Sequence, residues 1–169
     1  MRSAGGPGRV DLRDDASVRV SAKAEYAVRA CVELATRAGE PPVSVEALAA
    51  AQGLPASFLE RIVADLRRAS IVASTRGAGG GYRLARPAAE LTLADVIRAV
   101  EGPLVFVRGT RPPDLTYDGA AEPLLQVWVA LRASVRAVLE SVTLADLAHG
   151  ELPPAVLALA ADPDAWTNP

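Results

Sequence analysis

One cysteine and one histidine occur in 169 residues, aromatic side chains make up 4%, and neither sign of charge dominates. A lone cysteine cannot form a disulfide within the chain, nor supply the thiolates of a cysteine-held zinc or iron–sulfur site, so no metal and no cofactor is expected. No grouping of Ser, His and Asp, of Cys and His, or of paired carboxylates stands ready for catalysis, and a protein that is not an enzyme is expected. Lys plus Arg of 18 against Asp plus Glu of 20 leaves a formal net charge of -2. Total charge therefore says nothing about nucleic acid, and only its distribution can. No segment reaches the roughly 18 uncharged apolar residues of a membrane span, and "MRSAGGPGRVDLRDDASVRV" lacks the apolar run of a signal peptide. A cytoplasmic protein without a membrane partner is expected.

What is abundant is hydrophobic residues, which make up half the chain. That is enough to bury a full core. Residues 1–18 mix Gly, Pro, Arg and Asp without periodicity and predict a flexible tail. In "SAKAEYAVRACVELATR" from Ser21, the residues Tyr26, Ala27, Ala30, Cys31, Leu34 and Ala35 recur at helical spacing. Gly39 and Pro41-Pro42 stop that helix, and Ser44 stands as N-cap ahead of a short second helix, "VEALAAAQ". Gly53 suits a left-handed helix end and Pro55 the first turn of a third helix, whose inner stripe is Leu59, Ile62, Val63 and Leu66. A short helix, a glycine turn and a longer helix make a helix-turn-helix, whose second helix enters a major groove.

Two short strand-compatible runs, "IVASTR" and "GYRLARP", flank the glycines and predict a hairpin, the wing of such a domain. "TLADVIRAVEGP" predicts a fourth helix capped by Thr92, completing a domain over residues 19–103. Residues 104–123 are irregular and predict a connecting loop. It is either mobile or a place where Arg108, Arg111 and Tyr117 line an effector pocket or meet a partner protein. Beyond it Leu124, Trp128, Leu131, Val135, Val138 and Val142 alternate at spacings of four and three. That is a heptad seam on a long helix that needs a partner surface. A short capped turn, "TLADLAHG", closes the segment 124–150, and residues 151–169 form a C-terminal tail.

"RGAGGGYRLARP" has the look of a phosphate loop, but such a loop places its glycines immediately before a helix, and here they precede a strand. The dinucleotide pattern also finds Tyr82 where its third glycine belongs. The glycines suit a tight hairpin turn on their own. The neighbouring charge adds a second reading. Between Ser57 and Arg86 six arginines (61, 67, 68, 76, 83, 86) face two acids (60, 65), a segment of +4 in a chain that is net negative. Such separation is the electrostatic footprint of a duplex-binding face. Cys31, flanked by Ala27 and Ala35, reads as a buried inert thiol, with oxidation or an intersubunit disulfide as the functional alternative. His149 reads as a solvated residue at a helix end, and Glu25 with Arg29 as a surface pair.

"AEYAVRACVELA", the block from "VEALAAAQGLPASFLERIV" to "STRGAGGGYRLARP", and "LTLADVIRAVEGPL" resemble the Rrf-two family of bacterial winged helix-turn-helix regulators. The likeness runs over about residues 18–105 and resumes at "VWVALRASVRAVLESVTLADLA", similar to the family's dimerisation helix. It implies a mainly α fold with a small β-hairpin wing, and a homodimeric, sequence-specific repressor on an inverted repeat of double-stranded DNA. The alternative is a member acting through a protein partner or small-molecule effector with weak DNA binding. By position, the resemblance assigns Ser57, Phe58, Glu60 and Arg61 to base edges and phosphates. It assigns Arg76 with Gly79, Gly80 and Gly81 to the minor groove, and Lys23 and Ser44 to the DNA backbone. Phe58 stands where a Tyr is common. Cluster-binding members carry three cysteines in the connection, where this chain has none; Gly109 and Glu122 fall near the first and last of those positions.

Overall fold

The computed structural model describes residues 20–107 and 109–167; the tail expected over residues 1–18, and Arg108, lie outside the described residues. Helix α1 (Ala22–Thr36) starts at Ser21, whose hydroxyl oxygen accepts from the Ala24 amide, and buries Ala24, Ala27, Ala30, Cys31, Leu34 and Ala35. The alanines let neighbouring helices approach closely. Cys31 is wholly enclosed, and burial pushes its thiol up to about 12, which makes it an inert filler of the core.

Helix α2 (Val45–Gln52) is capped by Ser44, which accepts from Ala47 N, and closes on Gly53 at φ 63°. Three residues later α3 (Ala56–Arg68) begins, with Pro55 at the N-cap and not inside the first turn as expected. It buries Leu59, Ile62, Val63 and Leu66 against α1 and α2. Each such side chain is worth about 1.5–3 kcal/mol when taken from water. Strands β1 (Val72–Thr75) and β2 (Gly81–Leu84) pair antiparallel from Val72↔Leu84 to Thr75↔Gly81. The hairpin is tied to the helical body at a second place. Val43 N donates to Tyr82 O at 2.9 Å, and Tyr82 N donates to Val43 O at 2.7 Å.

Helix α4 (Leu93–Glu101), long helix α5 (Leu124–Ser141) and α6 (Leu144–His149) follow. Both α4 and α6 open with the tetrapeptide Thr-Leu-Ala-Asp, and each forms a capping box, Thr92 with Asp95 and Thr143 with Asp146. The two starts pair across a Thr92↔Thr143 bridge: Leu93 N donates to Val142 O at 2.9 Å and Leu144 N to Leu91 O at 2.8 Å. Leu91 and Leu144 are fully buried beneath it.

Two further expectations need correction. Val142 was placed on the heptad seam, but it lies past the last turn of α5 and is 3% exposed inside its own chain, because its carbonyl serves the Thr92–Thr143 bridge. The connection is not a structureless loop. Val105, Pro112 and Leu115 are buried, the 3₁₀ turn Pro112–Asp114 packs on α5, and Trp128 Nε1 donates to Tyr117 Oη at 3.0 Å. The C-terminal tail holds helix α7 (Pro154–Ala160) and a 3₁₀ turn, Pro163–Trp166, none of it buried. Among the described residues no helix is long and apolar enough to cross a membrane.

No residue of α5 is buried by this chain alone. Trp128, Leu131, Val135 and Val138 are half-buried, Leu124 is exposed, and the more open flank carries Val127, Val129, Ala130, Ala133 and Ala137. At 100° per residue these open positions spread over the face of α5 turned away from the expected seam.

Candidate nucleic-acid interface

The inward stripe of α3 dictates what faces out. With Leu59 and Ile62 buried, Ser57, Phe58, Glu60 and Arg61 are all exposed on its first two turns. Phe58 stands edge-on to Tyr26 of α1, ring centres 5.8 Å apart and planes at 85°, so a 43% exposed aromatic is held in one orientation. An open groove of about 510 Å³ runs beside it, lined by Lys23, Phe58, Arg61, Asp65 and Arg68 among others.

Lys23 is not a free cation in this groove. Its Nζ donates to Val100 O at 2.6 Å and lies 2.8 Å from Asp65 Oδ2, and Asp65 also pairs with Arg68. The Lys23 hydrogen bond holds the Asp65 carboxyl below its ordinary range. Lys23 therefore joins α1, α3 and the end of α4. Ser44 is likewise engaged: its oxygen accepts as the α2 cap, and its side chain also hydrogen-bonds the Glu46 carboxyl, which helps hold that group below its ordinary range.

Arg76 is exposed at the tip of the wing, between the end of β1 and the positive-φ residue Gly77. Gly79 at φ 85° has open space where a side chain would stand. The next two glycines answer to the chain's own packing. A Cβ at Gly80 would run into the carbonyls of Thr75 and Gly77, and one at Gly81 would lie 2.5 Å from the carbonyl carbon and oxygen of Val43.

All six arginines of the +4 segment are exposed. Arg61 and Arg68 share the groove with Lys23, whereas Arg83 and Arg86 line a second cavity with Arg37, between the end of α1 and β2. One stretch of sequence thus supplies two cationic surfaces. Tyr26 as the support of Phe58, and Asp65 as the tie of Lys23, escaped sequence reasoning, since each pair is brought together only by tertiary packing.

A helix-turn-helix with an exposed second helix, a hairpin beside it and arginines along both define a winged helix-turn-helix protein of the DNA-binding class. Comparison with known proteins narrows this. Residues 20–150 match the Rrf2 family, described as iron-dependent transcriptional regulators. Rv1287 of Mycobacterium tuberculosis strain H37Rv, named as an HTH-type transcriptional regulator, is 54% identical over 145 residues, covering 86% of this chain and 90% of that one. The structure of CymR, the global cysteine regulator of Bacillus subtilis, superposes with a TM-score of 0.68 at 36% identity, covering 78% of this chain and 97% of that one. IscR of T. potens gives 0.61 at 34% identity, covering 89% and 93%. The chain belongs to the Rrf2 family and is a DNA-binding transcriptional regulator.

Iron, which the family's description implies, does not fit these residues as a thiolate-held cluster. The connection contains no cysteine, and Cys31 is sealed inside α1. Among the described residues no three His, Cys, Asp or Glu side chains are placed to hold a metal ion.

Proposed function

We propose that the chain is a cytoplasmic homodimeric repressor that binds an inverted-repeat operator, with no cysteine-ligated cluster. The observation that carries this is the exposure of Ser57, Phe58, Glu60 and Arg61 on α3 in the same domain as an exposed Arg76 on the wing. In this reading α3 lies in the major groove, with Ser57 and Glu60 at base edges, Phe58 packed against them and Arg61 on phosphate. Arg76 enters the minor groove, with Gly79 allowing the backbone to come close and Gly80 and Gly81 shaping the turn. Ser44 lies at the DNA backbone, and Lys23 contributes charge while bracing α3. Two copies join through α5, along Leu124, Trp128, Leu131, Val135 and Val138, so that two recognition helices sit about one helical turn apart.

The test is fluorescence anisotropy with the DNA upstream of the protein's own gene. Arg76→Ala is expected to weaken binding and reduce the log–log salt slope by about 0.9 per lost phosphate contact, without a change in thermal unfolding. Equal affinity at equal salt would show that the wing does not touch DNA. A second reading, action through a partner protein with weak DNA binding, is favoured by Leu157, Leu159 and Trp166, which are 51%, 62% and 78% exposed at the C-terminal end. It predicts micromolar or weaker operator binding and co-purification of a partner that truncation after Gly150 abolishes.

A further inference from the structure

Where α4, the connection and α5 meet, four arginines line one pocket of about 350 Å³, Arg98, Arg111, Arg132 and Arg136, with Gly102 and Leu104 in its wall. Their counter-charges are few. Glu140 accepts from Arg98 Nη2 and, bidentately, from Arg136 Nε at 2.8 Å and Nη2 at 3.1 Å. Asp114 accepts from Arg111 Nε at 2.7 Å. Four cations against two carboxylates leave the pocket at +2 in a chain of net charge -2, and among the described residues Arg132 pairs with no carboxylate. Like charges gathered without matching acids repel one another, and planar forks of this kind fit carboxylate or phosphate oxygens in pairs.

We propose that this pocket binds a small organic oxyanion, a molecule bearing a carboxylate or phosphoryl group on a short apolar body, and that such a ligand is the regulator's effector. The oxyanion takes the fork of Arg132 and competes with Glu140 for Arg98 and Arg136, while its apolar part lies against Leu104. Arg98 belongs to α4, Arg111 to the connection and Arg136 to α5, so one ligand touches all three elements. The Arg98–Glu140–Arg136 clamp is the polar tie between α4 and α5, and exchanging its carboxylate for a ligand resets the angle between the long helix and the DNA-binding head. The effector role rests on the reading of α5 as the dimer helix; the binding itself does not.

Binding is therefore measured on the full chain without DNA, by thermal unfolding in sodium chloride, sodium phosphate and sodium succinate at equal ionic strength. At ten times the dissociation constant, an occupied pocket raises the Tm by about 3–6 °C for a chain of this size. Phosphate and succinate separate phosphoryl from carboxylate ligands, and a rise with either supports the proposal only where the pocket variant loses it. The double variant Arg111→Gln/Arg132→Gln is expected to unfold at the parent's temperature in chloride and to lose the rise. Should it unfold early, Arg132→Lys, which keeps the charge without the fork, is expected to lose a large part of the rise. Equal Tm in all three salts, or a rise that the variants retain as a general salt effect, overturns the proposal. Operator affinity measured in chloride remains the parent's in these variants, so loss of DNA binding bears on the earlier reading alone.

Discussion

Replacing Gly81 by alanine tests how the wing is held. The new methyl carbon would stand 2.5 Å from the carbonyl carbon and oxygen of Val43 and 2.9 Å from Ser44 N, all backbone atoms that no rotamer change can remove. Those atoms belong to the Val43–Tyr82 bridge, whose two hydrogen bonds are 2.9 and 2.7 Å long. The hairpin must back away and lose both bonds, at about 1 kcal/mol each. Residual overpacking adds on the order of 1 kcal/mol. The sum is about 3 kcal/mol, or roughly 6–12 °C of Tm for a domain of this size. Gly79→Ala is the control. It meets nothing within 4 Å but sits at φ 85°, so it carries only the left-handed penalty, roughly 1–2 kcal/mol. Urea unfolding followed by far-ultraviolet circular dichroism ranks the two, and anisotropy on operator DNA should show the larger loss for Gly81→Ala. Equal midpoints for Gly81→Ala and the parent would refute the docking of the wing on residue 43.

Asp65→Asn frees Lys23 and Arg68 and removes one negative charge from α3. Operator binding is expected to tighten at low salt with a log–log slope steeper by about 0.9 or more, and an unchanged slope would place Asp65 away from DNA. Glu140 is held down to about 2, chiefly by the Arg136 hydrogen bond and then by Arg98, against an ordinary 4.5. Because the folded value is depressed, the clamp's contribution is present above the unfolded value and fades as pH falls from 4.5 towards 2. Thermal unfolding of Glu140→Gln should fall below the parent at pH 6 and converge with it near pH 2; parallel curves would contradict the clamp. Cys31, its thiol pushed up to about 12 by burial, should resist iodoacetamide at pH 8 in the native state and react readily in urea, as read by mass spectrometry.

Local chemistry was legible in the sequence wherever a feature is written within a few residues. The stripe Leu59, Ile62, Val63, Leu66 follows the helical period, Gly53 suits the left-handed conformation that closes α2, and Thr92 with Asp95 spells out a helix start. The family resemblance, carried by the same stretches, is borne out by the match over residues 20–150. Features made by distant partners were not legible. Val142 continues the heptad spacing, yet the chain leaves the helix there because Leu93, far away in sequence, takes its carbonyl. Pro112 and Leu115 read as loop residues, since nothing near them signals that α5 will cover them. Gly80 and Gly81 read as turn residues at the minor groove, and that Thr75 and Val43 leave no room there for a side chain is visible only in the packed chain. The repeated Thr-Leu-Ala-Asp was visible as one capped helix and one short capped turn, but its meaning lies in the pairing of one copy with the other.

That pairing makes α5 a strut fastened at both ends. At its start Trp128 is hydrogen-bonded to Tyr117 in the connection, and just past its end the chain is stitched to the first residues of α4. Fastened there, the strut can change its bearing on the head chiefly where the Arg98–Glu140–Arg136 clamp ties it to α4. If two copies meet along it, a small tilt at that joint is multiplied by the length of the arm into a larger change in the distance between their reading heads.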